Sequence, residues 1–310
     1  MTPSTESDVA GRQPATDGGP AEVLAGLNGS TLDAAVMDWA SDEARRLGVA
    51  LRLVHVVDPG VQLTPYPALM SGAPSLAEEL ELEAETLLTP GLDRVRARHP
   101  ALEVRTSVPW GPAGGALVEL SADAVRLVIG GSHAAPLERM LLGSVAVPVV
   151  AHARCPVVVV PDGISVQDPA HVVVGVDGSP GSEAAVEVAF ETAAASGGRV
   201  TCVMGWTTEV TLGVVVVESW AEGVPEIEAD CRAVTHSVVD PVAARHPEVP
   251  VDVVVRHGTP AHVIVEVADD VGADLVVVGS RGHGGFVGLL LGSVSRRVVD
   301  RAGRVVVVAH

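Results

Sequence analysis

The sequence contains no lysine. Its 310 residues include 20 basic side chains, and every one of them is an arginine. Several kinds of site depend on a lysine amine: the P-loop of nucleotide hydrolases, the Schiff base of pyridoxal phosphate enzymes and the phosphorylation site of receiver domains. The composition therefore excludes all three.

Cysteines, aromatic residues and long apolar runs are also scarce. Cys155, Cys202 and Cys231 show no metal-ligand spacing and are interpreted as small buried side chains in a reducing compartment. Aromatic residues make up 2% of a chain that is 47% apolar, so its cores must be built from valine, leucine and alanine. No apolar run reaches the roughly 18 residues that a membrane helix needs, and no signal-peptide layout opens the chain. These features predict a cytoplasmic protein with no membrane partner.

The charge balance is strongly acidic. The formal net charge is −19 at pH 7. A nucleic-acid partner needs a basic surface that neutralises phosphates, and the sequence shows no such surface. We therefore expect no nucleic-acid partner.

The chain repeats itself. EVLAGLNGS at 22–30 matches HVVVGVDGS at 171–179 with an offset of 149, and LRLVHVV at 51–57 aligns with VTCVMGW at 200–206 with the same offset. A nearly constant offset over half a chain indicates a tandem duplication. We divide the chain into a disordered tail (1–20), unit one (21–162), a polar linker (163–169) and unit two (170–310).

Each unit alternates short valine-rich runs with longer amphipathic segments. This alternation predicts a parallel sheet with helices on both faces, in which ligands bind beyond the carboxyl ends of the strands. Ser182 and Thr259 are the predicted caps of two helices. The predicted strands lie near 22–27, 50–57, 101–107, 125–130 and 155–161 in unit one, and near 171–177, 199–206, 250–256, 273–279 and 304–309 in unit two.

A glycine pattern follows the fourth strand of each unit. Gly279 precedes Gly292 by 13 residues, and Gly130 precedes Gly143 by the same distance. Glycines let the backbone approach an anion, and a helix that begins at Ser293 aims its free N–H groups at that anion. The hydroxyls of the following serines and the guanidinium of Arg281 suit phosphate oxygens. A glycine-rich surface loop without a ligand is the alternative interpretation.

The full pattern G-x2-G-x9-G-S resembles the ATP-binding motif of the universal stress protein family. The resemblance spans both units and implies two Rossmann-like α/β/α domains, each with a five-stranded parallel sheet of order 3-2-1-4-5. It implies that Asp177 contacts the adenine end of ATP, although this side chain could instead cap the following helix. The site residues expected in unit two are Asp177, Gly205, Gly279, Arg281, Gly282, Gly292, Ser293, Val294 and Ser295.

Unit one departs from this motif at three positions. Asn28 replaces the aspartate, His133 replaces the second glycine and Ala146 replaces the second serine. An asparagine still forms hydrogen bonds, and a protonated His133 could donate to a phosphate oxygen. Unit one is therefore expected to hold a weaker or altered site, and its expected site residues are Asn28, Val56, Gly130, His133, Gly143, Ser144 and Val145.

The leading functional hypothesis is a regulatory protein of the stress response that binds ATP together with Mg²⁺. A slow Mg²⁺-dependent ATPase and a nucleotide-free, chaperone-like dimer are the alternatives, and no catalytic residues and no protein metal site are predicted. The resemblance also implies pairing of the final strands, at 157–160 and 305–308, within one chain or between the two chains of a homodimer. An exposed valine edge invites such pairing.

Overall fold

The structure is a computed structural model, and it describes residues 21–58, 76–133, 140–164, 168–207, 220–282 and 291–310. The tail predicted at 1–20 and the middle of the predicted linker lie outside these residues. Within the described part of the chain, no helix is both long enough and apolar enough to cross a bilayer.

The described residues of unit one form five strands of the main sheet, a short two-stranded antiparallel pair and four α-helices. Its elements are β1 (Glu22–Leu27), α1 (Asp33–Leu47), β2 (Ala50–His55), α2 (Leu76–Arg98), β3 (Val104–Ser107), α3 (Ala113–Leu120), a 3₁₀ turn (Ser121–Asp123), β4 (Ala124–Gly130), the short paired strands β5 (Ser132–His133) and β6 (Met140–Leu141), α4 (Ala146–His152) and β7 (Val157–Val160).

Unit two repeats this order. Its elements are β8 (His171–Gly175), α5 (Pro180–Ser196), β9 (Arg199–Trp206), α6 (Trp220–Ala243), β10 (Val251–His257), α7 (Pro260–Asp270), β11 (Leu275–Gly279), α8 (Ser293–Arg301) and β12 (Val305–Ala309). The strands coincide closely with the predicted apolar runs, because each run of β-branched residues is bounded by glycine, proline or polar residues.

The ten main strands form one continuous sheet of order β10-β9-β8-β11-β12-β7-β4-β1-β2-β3. Numbered within its own unit, each half has the order 3-2-1-4-5, and all pairs within a half are parallel. This confirms the predicted fold class. The halves join through β7 and β12, which pair antiparallel with Val307 opposite Val158. The two valine-rich final strands thus pair within the chain.

Alternate residues of the strands pack on opposite faces of the sheet, as a parallel sheet covered on both sides requires. One face packs against α1, α2, α5 and α6, and the other packs against α3, α4, α7 and α8. Each apolar cluster runs through both units, so the two units share their cores. Phe190 is the largest side chain that is fully buried. Valine, leucine and alanine supply most of the rest, as the scarcity of aromatic residues predicts.

A buried ionic network also spans the two units. Arg126 of β4 lies 3.1 Å from a carboxylate oxygen of Glu191 on α5 and 3.5 Å from Glu43 on α1. Glu43 also pairs with Arg46 at 2.6 Å, and its side chain is 3% exposed. Buried charges are costly without partners, so this arrangement favours one docking geometry of the units.

Candidate functional site

A cavity of about 420 Å³ opens at the carboxyl ends of β8, β9 and β11 in unit two. The strand order reverses at β8, because β9 lies on one side of it and β11 on the other. Such a switch point is where open α/β sheets hold their ligands. All nine residues predicted for unit two line this cavity: Asp177, Gly205, Gly279, Arg281, Gly282, Gly292, Ser293, Val294 and Ser295. The fold thus brings together residues that are about 100 positions apart in sequence.

Two of these glycines are required by the packing of strand ends against helix starts. A Cβ atom on Gly279 would lie 2.5 Å from the carbonyl of Gly181 at the start of α5. A Cβ atom on Gly205 would lie 2.7 Å from the Cα of Pro260 at the start of α7. The missing side chains let both helix starts approach the sheet, and this close approach shapes the walls of the cavity.

Asp177 contacts two parts of the cavity wall. Its Oδ1 accepts hydrogen bonds from the Ser179 N–H at 3.0 Å and from the Ser179 hydroxyl at 2.5 Å. Its Oδ2 points at Gly282, where an added Cβ atom would overlap it. The carboxylate therefore connects the end of β8 with the glycine loop after β11.

The cap of α5 differs from the prediction. Ser179, and not Ser182, is the N-cap residue, and its side chain accepts from the Ser182 N–H. Asp177 does not cap the helix itself, but it positions the serine that does. At α7 the predicted N-cap Thr259 holds the capping position, although its side chain makes no capping hydrogen bond.

The loop after β11 is folded by its own hydrogen bonds. The Gly292 N–H donates to the Ser280 carbonyl at 2.8 Å, and the Ser295 hydroxyl donates to the Gly279 carbonyl at 2.5 Å. The Ser295 hydroxyl, expected to face a phosphate, thus holds α8 against the end of β11. The first N–H groups of α8 have no acceptor within the helix and lie at the cavity wall, where Ser293 and Val294 are.

The charge of the cavity is nearly balanced. Asp177 and Arg281 are the two residues with ionised side chains among those that line it. The N-terminal ends of α5 and α8 add partial positive charge at the same mouth. An anionic ligand in the cavity therefore meets a guanidinium, two helix starts and one carboxylate.

The sequence interpretation missed the apolar wall and Ser182. Pro260 and Ile264 of α7 line the cavity together with Val203 and Val278 of the sheet. Their spacing of four residues places them on one helix face, a signal present in the sequence but equally typical of a buried core. Ser182 lines the cavity with its side chain buried.

The predicted residues of unit one occupy the corresponding places at the other end of the sheet, but their contacts differ. One contact is shared, since Asn28 Oδ1 accepts from the Ser30 N–H at 3.0 Å as Asp177 Oδ1 accepts from the Ser179 N–H. Gly130 ends β4 and faces Leu32, whose Cβ lies 3.3 Å from a Cβ atom built on the glycine. Val56, the counterpart of Gly205, carries a half-buried side chain that packs on the core.

The helix after the unit-one loop begins later than its counterpart. α4 starts at Ala146, so Gly143, Ser144 and Val145 precede it, and Val145 is 38% exposed. A Cβ atom on Gly143 would meet no atom of the described residues within 4 Å. His133 ends β5, and its side chain lies outside the described residues. The unit-one loop is thus more open at Gly143 than the unit-two loop is at Gly292.

Comparisons with known proteins agree with this architecture. A sequence profile of the universal stress protein family matches residues 21–161 and again residues 170–310. The chain is 35% identical over 300 residues to universal stress protein Rv2005c of Mycobacterium tuberculosis (strain ATCC 25618 / H37Rv), covering 93% of this chain and 96% of that protein. It is 32% identical over 308 residues to universal stress protein Rv2623 of the same strain, covering 93% and 96%.

Among solved structures, a universal stress protein from Archaeoglobus fulgidus DSM 4304 superimposes with a TM-score of 0.69 at 19% sequence identity, covering 93% of this chain and 97% of that one. At that identity the likeness concerns the fold. The two profile matches and the full-length relatives show more: the chain belongs to the universal stress protein family, with two copies of the family domain in tandem.

Proposed function

We propose that unit two binds an adenine nucleotide, with ATP as the preferred ligand, and that nucleotide occupancy regulates the conformation of the chain or its binding to a partner in the stress response. One observation carries the proposal: nine residues chosen from the sequence for phosphate and adenine recognition line a single cavity. Its volume of about 420 Å³ falls within the usual range for small-molecule sites.

The lining chemistry fits the ligand. The apolar wall of Val203, Pro260 and Ile264 suits the face of a purine, and the Asp177 carboxylate can accept a hydrogen bond from an exocyclic amine. The start of α8 and the Arg281 guanidinium suit phosphate oxygens. Among the described residues no three histidine, cysteine, aspartate or glutamate side chains gather at a metal site, so Mg²⁺ would enter with the phosphates.

The alternatives make different demands on the site. Hydrolysis needs a group that orients or deprotonates water, and Asp177, the one carboxylate among the described residues that line the cavity, is assigned here to the adenine end of the ligand, away from the phosphates. A chaperone-like homodimer through the final strands needs free strand edges, and β7 and β12 use theirs on each other. Binding without appreciable turnover is therefore the function that the geometry supports best.

Calorimetric titration of the full chain with ATP and Mg²⁺ tests the proposal, together with mass spectrometry of any nucleotide released when the purified protein is denatured. We expect saturable binding, and stabilisation of the fold by about 2.7 kcal/mol at 100 times the dissociation constant. Release of phosphate measured in parallel separates binding from slow hydrolysis. A chain that neither carries nor binds an adenine nucleotide contradicts the proposal.

A further inference from the structure

One position at which the two units differ lies beside the unit-two cavity, at a residue on which the family motif makes no demand. Asp33 of unit one corresponds to Ser182 of unit two, because 33 + 149 = 182. Both residues lie in the first turn of the helix that follows the first strand, in α1 and α5 respectively. Both are nearly fully buried, with 9% of Asp33 and 3% of Ser182 exposed. One unit therefore places an acid where the other places a neutral hydroxyl.

The Asp33 carboxylate accepts hydrogen bonds from N–H groups of the loop that precedes it. Its Oδ1 accepts from the Asn28 N–H at 3.2 Å, and its Oδ2 accepts from the Gly29 N–H at 2.8 Å. Burial raises the pKa of Asp33, whereas these two N–H groups and the nearby His55 act to lower it. The side chain is thus held by two N–H groups of the loop.

The residue at the same position in unit two carries no acidic group. Ser182 lines the cavity, and its hydroxyl donates to the Ser179 carbonyl at 2.9 Å. Beside it stands Arg281, whose counterpart in unit one is Ser132 (132 + 149 = 281), so unit one lacks this guanidinium. In unit two a phosphate at this position meets no charge of its own sign, and Arg281 is among the residues that line the cavity, but a phosphate near Asp33 meets a buried carboxylate.

We propose that Asp33 closes the unit-one site to anionic ligands, so that the chain binds a single nucleotide, in unit two. Asp33 acts by occupying loop N–H donors and by repelling phosphate, and Ser182 leaves unit two open because it does neither. This inference rests on the proposed nucleotide binding by unit two. It assigns a specificity-determining role to a position outside the glycine motif, and it gives the weaker binding predicted for unit one a cause besides the change at His133.

The first test counts triphosphate sites in the full chain. Inorganic triphosphate is titrated into the wild type, into Asp33→Ser, which copies unit two, and into Asp33→Glu, which keeps the charge. We expect one binding event in the wild type and in Asp33→Glu, and a second, weaker event in Asp33→Ser. Thermal unfolding of each variant without ligand shows whether it is folded. Equal stoichiometry in the serine and glutamate variants overturns the proposal.

The second test places an aspartate in unit two, at the position of Ser182. Its result does not depend on how well unit one folds without Asp33. Ser182→Asp is compared with Ser182→Asn, which has nearly the same shape and no charge. Like-charge contacts across a binding site cost several kcal/mol, so we expect ATP to bind the aspartate variant roughly a hundredfold more weakly than the asparagine variant. Adenosine, which has no phosphate, should bind both variants equally.

The outcomes separate the two proposals. A wild-type chain that binds neither ATP nor triphosphate contradicts the proposed function itself. A wild-type chain that binds ATP while Ser182→Asp and Ser182→Asn bind it equally well overturns the role of the carboxylate and leaves the proposed function standing.

Discussion

A side chain at Gly282 has no room beside Asp177. An added Cβ atom overlaps Asp177 Oδ2, so a valine there must displace the carboxylate or the loop. Such a valine obstructs the proposed phosphate path, and it also disturbs Asp177, the residue assigned to adenine. We expect Gly282→Val to weaken ATP binding at least about tenfold in calorimetric titration and to cost roughly 1–3 kcal/mol of stability.

Gly143→Val provides the matched control for this substitution. It introduces the same side chain into the unit-one loop, at a glycine where an added Cβ meets nothing within 4 Å in the part of the chain that the structure describes. This variant should bind ATP like the wild type. Unchanged affinity in Gly282→Val would show that the cavity of unit two is not the nucleotide site.

Asp177 combines a structural role with a proposed recognition role, and two substitutions separate them. Asp177→Asn retains an oxygen that can accept from Ser179, but it loses the charge and presents an amide to the adenine. Asp177→Ala loses both functions and leaves Ser179 without its acceptor. We expect both variants to bind ATP more weakly, and the alanine variant alone to lose about 1 kcal/mol of stability in denaturant unfolding.

Inorganic triphosphate distinguishes base recognition from loop support at Asp177. Its affinity should change little in Asp177→Asn, since the carboxylate is assigned to the adenine end of the ligand. If triphosphate and ATP lose affinity equally in both variants, Asp177 only supports the loop.

At the scale of elements, α5 and α7 provide a natural comparison of helix capping. Both helices have a proline at their first position, but the Ser179 side chain accepts from a helix N–H, whereas the Thr259 side chain makes no such bond. Ser179→Ala should therefore lower the free energy of unfolding by about 1 kcal/mol. Thr259→Ala should stay within about 0.5 kcal/mol of the wild type, because its residue is exposed and loses no capping bond. Equal losses in denaturant unfolding would contradict this assignment of the caps.

The end of unit two contacts the last helix of unit one. His310 follows β12 of unit two, and its Nε2 lies 3.0 Å from the carbonyl oxygen of Val150 in α4 of unit one. A carbonyl only accepts hydrogen bonds, so Nε2 carries the proton. The adjacent Ala309 accepts from the Ser280 N–H at the base of the unit-two loop. A short path of contacts therefore connects the cavity of unit two with unit one.

The stability of the whole molecule should fall as the pH is lowered from about 7.5 towards 5.5. Burial lowers the pKa of His171 and of His310, and the positive charge of Arg199 and Arg281 respectively contributes to the same shift. The unfolded chain then takes up protons near pH 6.5, before the folded chain does. Stability is lost wherever the unfolded state binds more protons, so it decreases through this range.

Urea unfolding at several pH values measures this dependence. The raised pKa values of Asp33 and Asp300 act in the opposite direction, so the wild type alone reports a sum of effects. The double variant His171→Gln/His310→Gln isolates the histidine contribution, and it should show a smaller loss of stability between pH 7.5 and 5.5. An identical slope in the wild type and the double variant would refute the assignment to these two residues.

Much of this protein can be predicted from its sequence. The regular spacing of valine-rich runs sets the strands, because β-branched residues bounded by glycine and proline have few other stable arrangements. The offset of 149 predicts two copies of one unit, and the spacing from Gly279 to Gly292 predicts a strand, a loop and a helix start in that order. These are local or repeated signals, which a linear chain records directly.

Only the tertiary structure shows features that depend on distant contacts. The fold alone brings together the residues of three such features. These are the pairing of β7 with β12, the cavity wall at Pro260 and Ile264, and the close approach of Asp177 to Gly282. Asp33 is the clearest case. In the sequence it is an ordinary acidic residue at the start of a helix, and only its burial and its bonds to Asn28 and Gly29 distinguish it from Ser182. Hydrogen bonding and desolvation are properties of positions in space, so composition and spacing do not encode them directly.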